Sequence, residues 1–282
     1  MKETTLISIS LFAYIGSWAF YLACVTFRGR IAGSLGDLMA LAGLLAQAGA
    51  LVLRWVESHR IGIGHAPLSN LYESMVFFSF AVVLIYLLVG LKLRNRLLGV
   101  CVMPIAFLTI ASTSLMKRDI QPLVPALQSN WLTAHVITCF LGYGAFAVAF
   151  GASILYMVKS GRESRHLDTN ETTFVDALPR AAVLDEFTYR LIAFGFPLLT
   201  LGIITGAAWA NTAWGTYWSW DPKETWSLIV WLIYAAYLHA RLARGWRGKK
   251  SALLSIIGFC ATLFCYLGVN LLLSGLHSYA TG

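Results

Sequence analysis

Charge is the first thing this sequence is short of. Only 12% of its 282 residues are Asp, Glu, Lys or Arg, about half the roughly 25% of an ordinary soluble domain. That deficit excludes a normal solvated surface. Proline is also sparse, at 7 residues, so few points interrupt the apolar stretches. Several of these run for about 20 residues, the length that crosses a hydrocarbon core about 30 Å thick. The stretches do not alternate polar with apolar, which excludes an outer-membrane barrel. The five cysteines, Cys24, Cys101, Cys139, Cys260 and Cys265, sit in apolar stretches and form no CxxC pair. A disulfide framework and a zinc site are therefore excluded, and the thiols read as small core residues. A cleavable leader is not expected either: Lys2 is followed by Glu3 and then by an apolar run too long for one. There is no internal repeat and no low-complexity tract.

What is present is apolar. Hydrophobic residues make up 58% of the chain, and the mean hydropathy is +0.70. A segment crossing lipid must satisfy its own backbone, so each apolar run predicts a helix. Eight spans are expected, near 4–27, 36–55, 71–91, 97–115, 131–158, 187–210, 226–244 and 251–274. The fourth is the weakest, being short and containing Pro104, which removes an intrahelical hydrogen bond. The stretch 160–186 is the longest polar one and reads as an inter-helix connection. The fold class is thus an all-α integral membrane protein, with residues 1–282 as a single polytopic domain.

The formal net charge is +8. In a soluble protein this would suggest nucleic acid. Here the basic residues occupy short loops, so topology explains them and no nucleic-acid partner is expected. One set of alternate loops carries 14 Lys and Arg, from Arg28 and Arg30 through to Lys249 and Lys250; the other carries 6, namely Lys2, Arg54, Arg60, Lys117, Arg118 and Lys223. The richer set should face the cytoplasm or stroma. Both termini then lie on the outer side, as do the loops near 56–70, 116–130 and 211–225.

The 211–225 loop, between the sixth and seventh spans, reads NTAWGTYWSWDPKET. Trp214, Trp218, Trp220 and Trp226 fall within 13 residues, around Asp221, Lys223 and Glu224. Tryptophan is common at a membrane interface, but an aromatic belt needs only scattered rings. So dense a cluster fits a flat, apolar ligand whose faces or edges pack on aromatic walls. Porphyrin is such a ligand, and its iron takes axial ligands, commonly histidine. His135, opening the fifth span, and His277, just after the eighth, fall on the same side as this loop by a charge count that did not use them. His239 lies within the seventh span, about 13 residues or 20 Å beyond Trp226; an ionisable residue there is a functional candidate, against the alternative of a histidine snorkelling near Arg241. His59 and His166 lie in charged loops and read as incidental. His65 belongs to GHAPLSNLYES, which reads first as a structural entry to the third span, with a contribution to a haem pocket as the alternative.

The run WGTYWSWDPKETWSLIVWLIYAAYLHAR resembles the tryptophan-rich WWD signature of haem-handling proteins in cytochrome c biogenesis. The DPKETW form is similar to the CcsA/ResC branch of the System II synthase, with CcmC and CcmF as more distant relatives. The likeness extends to the number of spans, the SNLYES segment and the closing GLHSYA. It implies that His135 and His277 are axial ligands to haem b iron at the outer face, and that Trp214, Trp218, Trp220 and Asp221, with Trp226 and Lys223, hold the porphyrin. It implies that His239 ligates haem in transit, opposite a histidine of a CcsB/ResB-type membrane subunit. His135, His277 and Asp221 are then the candidate catalytic positions, although Asp221 also suits a helix cap. The implied partners are that subunit, apocytochrome c, and thiol-reducing proteins that keep its CxxCH motif reduced. The implied reaction is thioether formation between haem and apocytochrome c in a bacterial inner membrane, in preference to a plastid thylakoid. A haem transporter or chaperone without ligation is the alternative, and a generic transporter with an aromatic belt is the third.

Overall fold

The computed structural model describes residues 2–27, 29–93, 96–123, 125–164, 175 and 178–273. Among them are eight helices long and apolar enough to cross a membrane, and no strand. They are α1 (Glu3–Phe27), α2 (Arg30–Arg60), α3 (Leu71–Leu93), α4 (Leu97–Ser112), α5 (Asn130–Ser164), α6 (Ala181–Trp214), α7 (Pro222–Arg244) and α8 (Lys249–Leu272). The expected all-α membrane architecture is the one observed. α5 is the central post: from Cys139 to Ala149 all but one of its residues are buried, against α3, α4, α6 and α8. α1 and α2 pair with each other and pack on α4 and α3.

Several boundaries differ from the expectation, most of them towards longer helices. α5 and α6 run for 35 and 34 residues, because amphipathic turns beyond the apolar stretch keep the same hydrogen-bonding ladder. α6 therefore takes in the last part of the 160–186 stretch at one end and Trp214 at the other. α7 begins at Pro222 rather than near Trp226, since proline at the first helical position gives up only an N–H that has no partner there. Pro104 sits inside α4 without ending it, a tolerance common in membrane helices. α8 carries a π turn at Phe264–Gly268, a single-turn insertion of the kind often found at functional sites.

Side-chain bonds sort the connections to the two ends of the bundle. At one end Arg54, closing α2, pairs with Glu73 of α3 (Nε–Oε1 2.7 Å) and Glu3 of α1 (Nη1–Oε2 3.1 Å), and donates to the Arg118 carbonyl beyond α4 (3.0 Å). The start of α7 and the end of α8 meet at this same end, where Lys223 Nζ donates to Asn270 Oδ1 at 2.9 Å, and Ser74 of α3 bonds Tyr266 at 2.8 Å. At the opposite end Arg96 pairs with Asp37, Lys159 donates to the Val175 carbonyl, and Arg241 pairs with Asp185 and Glu186. The grouping matches the alternation read from the spans.

Candidate functional site

His135 lies in the second turn of α5, facing α6. Its Nδ1 is 2.6 Å from the Gly202 carbonyl oxygen. A carbonyl only accepts, so Nδ1 carries the proton and Nε2 keeps its lone pair. Such a bond fixes tautomer and ring orientation in metal-binding histidines. The approach depends on two glycines of α6 one turn apart. A Cβ at Gly206 would stand 2.6 Å from His135 Nδ1, and one at Gly202 would collide with Cys139 Sγ. This is small-xxx-small packing of membrane helices, here used to seat a histidine. Trp209, also on α6 and almost fully buried, lies nearly parallel to the His135 ring at 6.2 Å and 23°.

The tryptophan loop closes over this group. Gly215, at φ 78°, ends α6 in a left-handed conformation, which glycine adopts without cost. Trp214, in the last helical turn, packs against Trp209 at 4.9 Å. Trp218 is partly buried and meets Trp220 edge-on at 5.7 Å. Trp220 is the only non-glycine residue with positive φ among the described residues, at 60°, and is 68% exposed. A bulky side chain held in that region costs on the order of 1–3 kcal/mol, so the loop maintains strain to turn this ring outward. Trp226, in the second turn of α7, packs on Phe264 of α8 at 4.3 Å and lines neither of the two cavities beside His135.

The acids of the loop hold the helix. Asp221 is the N-cap of α7: its Oδ1 accepts from Lys223 N at 2.9 Å, while Glu224 Oε2 accepts from Asp221 N (3.3 Å) and Ser219 N (2.7 Å). This is a reciprocal capping box followed by proline at the first position. Lys223, by contrast, turns inward towards Asn270.

Two small cavities flank His135, of about 100 and 60 Å³. His135, Cys139, Tyr143, Trp209 and Lys223 line both. Trp218 and Tyr217 line the smaller. A third space of about 700 Å³ adjoins the first across Leu68, Ser69, Leu127 and Leu132.

The SNLYES segment forms one wall of the first cavity, and each of its polar residues has a structural task. Asn70 Oδ1 caps α3 by accepting from Glu73 N (2.9 Å), Glu73 accepts from Ser69 N (2.8 Å) and pairs with Arg54, and Tyr72 donates to Glu3. The segment is thus the structural entry to α3, and Ser69, Asn70, Leu71 and Ser74 also border the His135 cavity. His65 itself is buried, with Nδ1 2.8 Å from the Ala66 carbonyl and Nε2 3.2 Å from the Gln121 carbonyl, tying two loops together.

The structure therefore brings together His135, Trp214, Trp218 and Lys223, and adds Trp209, Gly202, Gly206 and Asn270, which sequence reasoning had not singled out. The GIITG spacing at 202–206 was a readable signal for the first pair of glycines; Trp209 and Asn270 had none. His239 does not join this group. It is exposed on α7, 16 residues or about 24 Å beyond Lys223. His277 and His166 lie outside the described residues.

Fold and site together define a polytopic helical membrane protein with an aromatic-walled histidine site at one end. Residues 68–277 match the cytochrome C assembly protein family, and the chain belongs to that family. It is similar to three proteins named cytochrome c biogenesis protein CcsA. The one from Synechococcus sp. (strain JA-3-3Ab) is 38% identical, over 98% of this chain and 94% of that protein. The one from Guillardia theta is 42% identical over 94% and 85%. The one from Chlamydomonas reinhardtii is 44% identical over 81% and 64%.

Proposed function

We propose that this chain acts in cytochrome c biogenesis by holding haem b at the outer face of its membrane and, with a CcsB/ResB-type subunit, attaching it to the CxxCH motif of apocytochrome c. The observation that carries this reading is His135: its proton is committed to Gly202, and its free Nε2 meets cavities walled by Trp209 and Trp218, with Lys223 beside them. A nitrogen lone pair, flat aromatic walls and one cation are the donor set an iron porphyrin dicarboxylate requires. Neither of these two cavities by itself reaches the 300–1,000 Å³ typical of a ligand pocket; the adjoining space of about 700 Å³ does. The basic-residue count places this end outside. His277 supplies the second axial ligand, and His239, on the exposed face of α7, meets haem in transit at the partner subunit. Relatives come from cyanobacteria and from plastids, which fits either a bacterial inner membrane or a thylakoid.

In the reaction each apocytochrome thiol adds across a vinyl C=C: a carbon–sulfur bond forms, and the thiol proton goes to the neighbouring carbon with no change in iron oxidation state. Asp221 and Glu224 are engaged in capping, so the site offers placement rather than an acid–base pair. Placement alone lowers such barriers substantially. The same observation favours, as a second reading, a haem-delivery protein that does not catalyse ligation; covalent product formed by the purified pair of subunits decides between them.

The first test is the visible spectrum of the purified chain, with and without its partner. A six-coordinate haem spectrum is expected, lost in His135→Gly and in His277→Gly and restored by imidazole. A spectrum indifferent to both changes overturns the outer-face ligand assignment.

A further inference from the structure

The two cavities beside His135 differ in chemistry. The larger, about 100 Å³, has Lys223, Asn270, Ser74 and Tyr266 in its wall and no carboxylate. The smaller shares Lys223 but not Asn270, and has Trp218, Tyr217, Ile203 and Ala207, together with the carboxylate-bearing Glu224. Lys223 is turned from the loop into the bundle, where its ammonium donates to the neutral Asn270 Oδ1. No carboxylate among the described residues lies within ion-pair distance of it. Its place is kept by a chain of bonds: Asn270 Nδ2 donates to the Tyr266 carbonyl at 2.9 Å, and the Tyr266 hydroxyl bonds Ser74 at 2.8 Å. Asp221, the acid nearest in sequence, is taken up in capping through the Lys223 backbone N–H, and a cation drawn into an apolar interior is costly unless an anion joins it. A volume of about 100 Å³, against about 30 Å³ for each water in the liquid, suits a group the size of a carboxylate arm and excludes a macrocycle.

Resting on the functional reading above, we infer that the Lys223–Asn270 cavity is the subsite for a haem propionate, and that it sets the orientation of the porphyrin on His135. The propionate edge points to Lys223 and Asn270 on the side of the larger cavity, which has no carboxylate, and away from Glu224, which would repel it. The opposite, vinyl-bearing edge then lies along Trp218, Tyr217 and Ala207, beneath the loop that opens to the outer side. In this orientation the reactive carbons face the arriving thiols, and the anionic edge is fixed where no thiol of the apocytochrome has to reach.

The test titrates the full-length detergent-solubilised chain with iron protoporphyrin IX and with its dimethyl ester, reading the His135-dependent Soret band. Wild type should bind the free acid more tightly by about 10- to 100-fold, the range expected for one charge-assisted hydrogen bond. Lys223→Met should bind both compounds alike, Lys223→Arg should keep the preference, and Asn270→Leu should lose part of it. Equal affinity of wild type for acid and ester overturns the subsite and leaves the haem-binding function standing; absence of any His135-dependent band overturns both. Orientation is read separately in a chain with Cys139→Ala and Cys265→Ala. There Ala207→Cys should capture a vinyl group as a thioether, retaining haem on a denaturing gel, while Ser74→Cys should not. The reverse pattern overturns the orientation.

Discussion

The two ends of this bundle treat buried charge in opposite ways. At one, Arg241 of α7 meets Asp185 and Glu186 of α6, and Asp185 also accepts from Gly248 N at 2.9 Å. Arg241 and Asp185 are 8% and 7% exposed, and each charge has its counterpart. At the other, Lys223 on the first turn of the same helix points inward and donates to the neutral amide of Asn270, with no ion pair within bonding distance among the described residues. The difference separates structure from binding. A buried charge held in a close ion pair is a fastening whose loss leaves its partner stranded; an ionisable group turned inward onto a neutral amide beside a cavity is a candidate for a path or a ligand.

Breaking the fastening should have the largest effect. Arg241→Ala leaves Asp185 buried without its cation and should destabilise the protein by about 3–5 kcal/mol, read as a fall in the thermal midpoint in detergent. Lys223→Met should shift that midpoint little. Equal losses would erase the contrast between the two ends. Next comes Gly206→Leu, which forces a side chain onto His135. The overpacking cost is about 1–3 kcal/mol, and haem titration should show weakened binding while the chain still inserts and folds; unchanged affinity would mean that the Gly202 contact does not set the histidine. Asp221→Ala removes an N-cap, with an expected loss of about 1 kcal/mol. A haem defect in that variant far beyond its stability loss would argue for direct contact between Asp221 and the ligand. The smallest change is Trp220→Gly, which relieves the positive φ and should raise stability by up to about 1 kcal/mol. A drop would show that the exposed ring is held by contacts rather than presented.

Much of the outer frame was legible. Apolar runs of spanning length located all eight helices, because lipid leaves the backbone no alternative. Some ends of those helices were not, since the Asp221 capping box starts α7 four residues before the apolar stretch. Of the site, His135 and the tryptophan loop were readable from their spacing and family likeness. Two assignments within it were refined by contact: Trp214 is helical and Trp226 packs on α8. Trp209 was hidden because an aromatic on a membrane helix is unremarkable until its neighbour across the interface is known.

By itself, the sequence determined that this is an eight-helix membrane protein and singled out the loop to which the proposed chemistry is assigned, since hydropathy and local spacing are properties of contiguous residues. Only the tertiary structure decided which nitrogen of His135 is free, that Gly202 and Gly206 seat it, and that Lys223 meets Asn270 across 47 positions of chain. Those facts depend on close approach between helices and on the π turn that sets the phase of α8. Such approach is fixed by the packing of several segments at once, and no single segment encodes it.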